Sequence, residues 1–203
     1  TGISTGGDDW LSIRKTPGST SDNTNTTFLM IGDADEMSGH SKGGDDNFVS
    51  DAGIHTAMYG DAIIMKANSI GGNDILGNVF SSGFKPGNTV YGDAESMQQS
   101  AAGGDDLLYG ATGDATNYLY GDAYSASNQA RGGNDILYSS GGTDHMWGDF
   151  AVIEGRSIDD SHFGNDIFYL LRESGHDYIY DFRPGEDEIS LRSKRITDMS
   201  GFE

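Results

Sequence analysis

The stretch RGGNDILYSSGGTDHMWGDF, residues 131–150, repeats one chemistry on a nine-residue beat. Gly133-Asn134-Asp135 leads into Ile136-Leu137, and Gly142-Thr143-Asp144 leads into His145-Met146. A turn residue, a carboxylate and an apolar residue thus return together at one phase. Apolar runs this short, bounded by Gly and Asp, are too brief for helices. They suit short strands between tight turns. The Gly148-Asp149 that closes the stretch is a second signal, and it recurs along the chain.

Working outward, a tetrad GG(D/N)D starts at Gly6, Gly43, Gly71, Gly103 and Gly132, and a variant, FGND, starts at Phe163. A triad GDA starts at Gly32, Gly60, Gly92 and Gly121, with GDF at Gly148. From triad to next tetrad the spacing is 11 residues four times and 15 in the last case. From tetrad to next triad it wanders between 16 and 26. One side of the repeat is therefore a fixed loop, and the other accepts insertions such as Thr20–Phe28. An apolar pair follows each tetrad and another precedes each triad. A unit of about 30 residues with two strands cannot bury its apolar side chains alone. Stacked in register, such units predict an all-β, right-handed parallel β-roll or β-solenoid of five to six coils, drawn as two parallel sheets. Helix is expected, if anywhere, in 150–162 and at the C-terminal end. The solenoid is assigned to 1–191 and a separate end to 192–203.

Composition agrees with turns and with cation sites. The 203 residues hold 31 glycines, and 25 aspartates against only 7 glutamates. Short carboxylates beside glycines favour turns and hard-cation coordination. The net charge of −20 excludes nucleic acid as a partner, because phosphates would be repelled. No apolar run is long enough for a membrane span, and no signal peptide is visible. Cysteine is absent, which removes disulfides and thiolate metal sites. The chain starts at Thr1 without Met and is read as a piece of something longer.

Stacked turns place the last tetrad aspartates, Asp9, Asp46, Asp74, Asp106, Asp135 and Asp166, in a column about 4.8 Å apart. Unneutralised, such a column destabilises the fold; a cation between neighbouring carboxylates reverses the sign. Carboxylates with backbone carbonyls, roughly six to eight oxygens in all, make a calcium ligand set, whereas Mg2+ wants a tighter octahedron. Several Ca2+ ions are expected, on the order of one per gap between tetrads. The constant loop length suggests that the triad aspartates Asp33, Asp61, Asp93, Asp122 and Asp149 join that column. The alternative is that they only shape the turn by accepting backbone amides.

The opening stretch resembles the calcium-binding nonapeptide G-G-x-G-x-D-x-U-x of RTX (hemolysin-type) proteins. Gly133 to Leu137 matches its core, as do Gly142 to Met146 and Gly185 to Ile189. The segment GHDYIYDFRPGEDEISL, 175–191, looks like the closing segment of such modules. The resemblance implies that each turn's Asp is a calcium ligand, extending the set to Asp144, Asp177 and Asp187. It implies carbonyl ligands from Gly44, Gly72, Gly104, Gly133 and Gly164. It further implies a non-enzymatic, extracellular module of a larger secreted protein, exported by a type I system and folding when it meets calcium. The second nonapeptide has decayed: aligned on the apolar residue before the triad, the ligand slot holds Phe28, Thr56, Asn88 and Asn117, and only Asp144 keeps the carboxylate. Asp114 offers one rescue by local slippage.

Other residues weigh less. The five histidines fall in different phases, and no Gly-x-Ser-x-Gly elbow or phosphate loop occurs. The acidic pairs Asp8-Asp9, Asp45-Asp46 and Asp105-Asp106 recur at one phase of the repeat, which argues for structure rather than a catalytic dyad. Tyr59, Tyr91, Tyr120 and Trp147 recur in register and are read as a stacked ladder. Two rivals stand beside the calcium module: an adhesive, glycan- or ice-binding surface, and an accessory module of a polysaccharide-acting enzyme. For the second, Arg156, His162 and His176 form no recognisable motif.

Overall fold

The computed structural model describes residues 4–14, 27–51, 55–77, 87–155, 158–159, 162–171 and 175–192. In chain order the strands are β1 (Trp10–Arg14), β2 (Thr27–Ile31), β3 (Ala34–Met37), β4 (Asn47–Asp51), β5 (His55–Tyr59) and β6 (Ala62–Met65). There follow β7 (Ile75–Gly77), β8 (Asn88–Tyr91), β9 (Ala94–Met97), β10 (Leu107–Tyr109), β11 (Ala115–Tyr120) and β12 (Ala123–Ser127). The last coils hold β13 (Ile136–Tyr138), β14 (Gly142–Trp147), β15 (Phe150–Glu154), β16 (Ile167–Leu171), β17 (His176–Ile179) and β18 (Glu188–Arg192). No α-helix occurs among the described residues. Each strand pairs in parallel with its counterpart one coil away, so the chain is a parallel β-solenoid.

The number of sheets differs from the two expected. The strands after the tetrads form one sheet, β1-β4-β7-β10-β13-β16-β18, and those before the triads a second, β17-β14-β11-β8-β5-β2. A third, β15-β12-β9-β6-β3, is built from the fixed triad-to-tetrad segment, which is therefore not a loop throughout. That segment is constant because it is a strand followed by one defined turn. Seven residues after the triad glycine, Gly39, Ala67, Gln99, Asn128 and Gly155 all take a left-handed φ, between 61° and 96°. The insertion at 150–162 begins with β15 rather than a helix and lengthens the return beyond it. Thr20 to Thr26, Arg156 and the end from 193 lie outside the described residues.

Two apolar cores result. The first and second sheets enclose Met30, Phe48, Met58, Leu76, Val90, Leu108, Leu119, Leu137, Met146 and Phe168. The third sheet folds against its own return segment around Met37, Met65, Met97 and a row of alanines that includes Ala62, Ala94 and Ala123. The triad's alanine is thus placed: it starts the third strand and packs in this smaller core, where Phe150 takes the same position in the last coil. Tyr59, Tyr91, Tyr120 and Trp147 stack in line outside the large core, with ring centroids 4.7, 5.0 and 4.7 Å apart. Between the two cores the chain pinches to a neck where triad and tetrad meet.

Candidate metal centre

The neck is built by backbone amides reaching carboxylates. Within each coil a triad aspartate accepts the N–H of the tetrad's second glycine. Asp33 takes that of Gly44 at 2.9 Å, Asp93 that of Gly104 at 3.0 Å, Asp122 that of Gly133 at 2.8 Å and Asp149 that of Gly164 at 2.6 Å. Asp61 does the same for Gly72 at 3.0 Å. Between coils, Oδ1 of each last tetrad aspartate accepts the N–H of its predecessor. Asp9 donates to Asp46 at 2.6 Å, Asp46 to Asp74 at 2.6 Å, Asp74 to Asp106 at 2.7 Å, Asp106 to Asp135 at 2.7 Å and Asp135 to Asp166 at 2.9 Å. The column expected from the repeat is therefore present, and the triad aspartates line it while also shaping their turn.

These bonds leave one oxygen over. Oδ2 of Asp46, Asp74, Asp106, Asp135 and Asp166, and Oδ2 of Asp93 and Asp122, are buried and accept no hydrogen bond. They are aimed at glycines. A methyl group on Gly60 would collide with Asp74 Oδ2 and the carbonyl of Gly92, and one on Gly92 with Asp106 Oδ2 and the carbonyl of Gly121. A methyl group on Gly71 would collide with Asp93, and one on Gly103 with Asp122, with the carboxylate of the preceding coil close by in each case. Gly32, Gly60, Gly92 and Gly121 thus each face one carboxylate oxygen and a backbone carbonyl, and Gly71, Gly103 and Gly132 each face two carboxylates. Among the described residues no three side chains of the metal-ligating types converge as a ready cage, so a cation here would draw part of its shell from the backbone.

The electrostatics are severe. Asp46, Asp61, Asp74, Asp93, Asp106, Asp122, Asp135, Asp149 and Asp166 are each at most 2% exposed. Burial pushes Asp61 up to about 8 and Asp166 to about 9. It pushes Asp74 to about 11, with the charges of Asp106 and Asp61 adding to it. Asp93, Asp106, Asp122 and Asp135 are raised well above the usual carboxylate range, first by burial and then by one another or their neighbours. Asp61 and Asp93 lie within hydrogen-bond reach, a contact that two bare carboxylates cannot hold. Only a proton or a cation makes this neck neutral enough to bury.

The remaining candidate residues fall elsewhere. Asp9 is exposed at the open first coil, and Asp33 is half-buried there. Asp144 and Asp177 pair in the second sheet, in register with the slot of Phe28, Thr56, Asn88 and Asn117, as the sequence alignment expected. Asp144 is buried and its oxygens are engaged, by Asn117 at 2.7 Å and the Ser140 N–H at 2.7 Å. Asp114 does not slip into the column; Asn117 stays opposite Asp144. The carbonyls of Gly44, Gly72, Gly104 and Gly133 press on the next coil's glycine, whereas the carbonyls beside the orphan oxygens belong to Gly60, Gly92, Gly121 and Gly148. Asp187 continues the tetrad column, accepting the Asp166 N–H at 3.2 Å. Two neck residues escaped sequence reading, Asp181 and Arg183, because neither sits in a repeated motif. The chain matches no protein-family model, no curated protein and no solved structure.

Proposed function

We propose that the chain is a calcium-binding β-roll module for which folding and cation binding are a single event. One observation carries this reading: the same unpartnered Oδ2 recurs in coil after coil, each buried and each facing a glycine that leaves it room. Asp74, Asp106, Asp135 and Asp166, with Asp61, Asp93, Asp122 and Asp149, would hold the ions, and Gly60, Gly92 and Gly121 would add carbonyls. Carboxylate and carbonyl oxygens in a loosely stacked series of turns suit Ca2+ better than Mg2+. The bound cation supplies neutralisation, not catalysis. The resemblance to RTX repeats supplies the setting: a secreted module, ordered outside the cell, that supports a larger protein.

The glycan- or ice-binding alternative draws less support. The exposed row Tyr118, His145 and Tyr178 is stacked, with centroids 4.9 and 5.1 Å apart, so His145 spends both faces and each tyrosine one face on its neighbours. Sugars stack on faces.

Far-UV circular dichroism at neutral pH tests the calcium reading. In EGTA the chain is expected to be largely unfolded, and millimolar Ca2+ to restore the strand signal cooperatively, with Mg2+ far less effective. A strand signal equally strong in EGTA would overturn it.

A further inference from the structure

The solenoid does not end as its coils repeat. Three departures coincide at the last neck cell. The tetrad's first glycine becomes Phe163, the triad's Gly-Asp becomes Asp181-Phe182, and Arg183 follows. Asp187 holds the tetrad position, because β18 pairs with β16 through Ile167 opposite Glu188. In the coils beneath, the equivalent aspartate keeps an orphan Oδ2. Asp187 does not: its Oδ2 accepts the Arg183 backbone N–H at 2.6 Å, and its Oδ1 accepts the guanidinium at 3.1 Å.

The guanidinium reaches further into the column. Its Nη2 donates to the carbonyl of Gly164, the atom that in earlier coils faces the next tetrad's glycine. It stands 4.0 Å from Asp149 Oδ2, and Cζ lies 5.2 Å from the centre of the Phe163 ring. The last triad's amides are also closed, since Gly148 and Asp149 donate to Asp181 at 2.8 and 3.0 Å. A phenylalanine fits at position 163, where other tetrads need glycine, because Phe182 stands where an aspartate would have come next.

We propose that Arg183 is a built-in cation that closes the carboxylate column at its last coil. This end of the solenoid then folds without a metal ion and templates the calcium-dependent coils. The proposal rests on the calcium reading and adds to it a polarity: order is retained at the C-terminal end in chelator and spreads towards β1 as Ca2+ is supplied. It also sets the ion count, because the Asp149–Asp187 cell is already occupied by a guanidinium.

Hydrogen exchange in EGTA and Ca2+ titration to saturation, on the wild type and on Arg183→Ser and Arg183→Lys, test this. In EGTA the wild type is expected to protect 164–169 and 185–191 while 44–49, 72–77 and 104–109 exchange freely. Arg183→Ser should lower the terminal protection by about tenfold or more. It should also bind one more Ca2+ than the wild type, and Arg183→Lys should retain part of the protection. Uniform exchange of the wild type in EGTA overturns the proposal, as do unchanged protection and stoichiometry in Arg183→Ser. If Arg183→Ser does not fold even in Ca2+, the wild-type pattern and Arg183→Lys decide. A wild type that takes up no Ca2+ at all sinks the calcium reading and this proposal together, whereas calcium uptake without terminal protection sinks the proposal alone.

Discussion

The third tetrad position accepts Asp or Asn, whereas the fourth is Asp in every copy, and hydrogen bonding separates the two. Asp105 Oδ1 accepts the Asn134 N–H at 2.8 Å from the exposed rim, a task any Asx oxygen performs. Asp106 spends Oδ1 on the Asp74 N–H and leaves a buried Oδ2 over. Asp105→Asn is therefore expected to change stability by less than about 0.5 kcal/mol in saturating Ca2+. Asp106→Asn is expected to cost about 3 kcal/mol under the same conditions. Urea unfolding of both variants checks this, and equal losses would contradict it. Glycines divide in the same way. Gly92→Ala drives a methyl group into Asp106 and the Gly121 carbonyl and should prevent stable folding, while Gly7→Ala meets nothing within 4 Å and should be tolerated. The column of the tetrad aspartates was legible because their repetition is strict. Arg183 was not, because a residue that occurs once leaves no period to detect.

At the scale of elements, the first two sheets were readable from apolar pairs beside Gly and Asp, and the register of the decayed slot was readable from the triads. The third sheet was hidden because its buried positions are three apart rather than two. Ala62 and Met65 align with Ala94 and Met97, and the strand between them breaks simple alternation. The recurrence of Ala-x-x-Met at 34–37, 62–65 and 94–97 was the available signal. The turn after that strand makes its own demand: Gln99 sits at φ 61°, where Gly39 and Gly155 stand in other coils. Gln99→Gly is expected to stabilise the protein by about 1 kcal/mol, read as a raised urea midpoint with unchanged slope. Tyr91 packs between Tyr59 and Tyr120, so Tyr91→Ala should cost about 3 kcal/mol or more by the same measurement.

For the whole molecule, the buried carboxylates couple stability to pH and to the cation in opposite senses. Asp46 is raised to about 6, Asp149 to about 7, Asp61 to about 8 and Asp166 to about 9, in each case chiefly by burial, above the ordinary carboxylate value of 3.8. Without cation, the folded chain therefore binds more protons than the unfolded one across this window. Its stability is greatest near pH 4 and is lost as pH rises from about 4 through the folded values of 6 to 9. In EGTA the far-UV strand signal should accordingly be weak at pH 8 and grow as pH falls to 5. In Ca2+ the affinity should fall over the same acidification, because protons compete for the same oxygens. A flat pH profile in EGTA would contradict the burial of ionisable aspartates in the neck. The central claim, that cations neutralise the neck between the two cores, is tested most directly by anomalous diffraction from crystals grown in Ca2+. A row of anomalous peaks beside Oδ2 of Asp74, Asp106 and Asp135, ending before Arg183, is the expected result. A neck without peaks, or calcium only on the outer rim at Asp45 and Asp105, would contradict it.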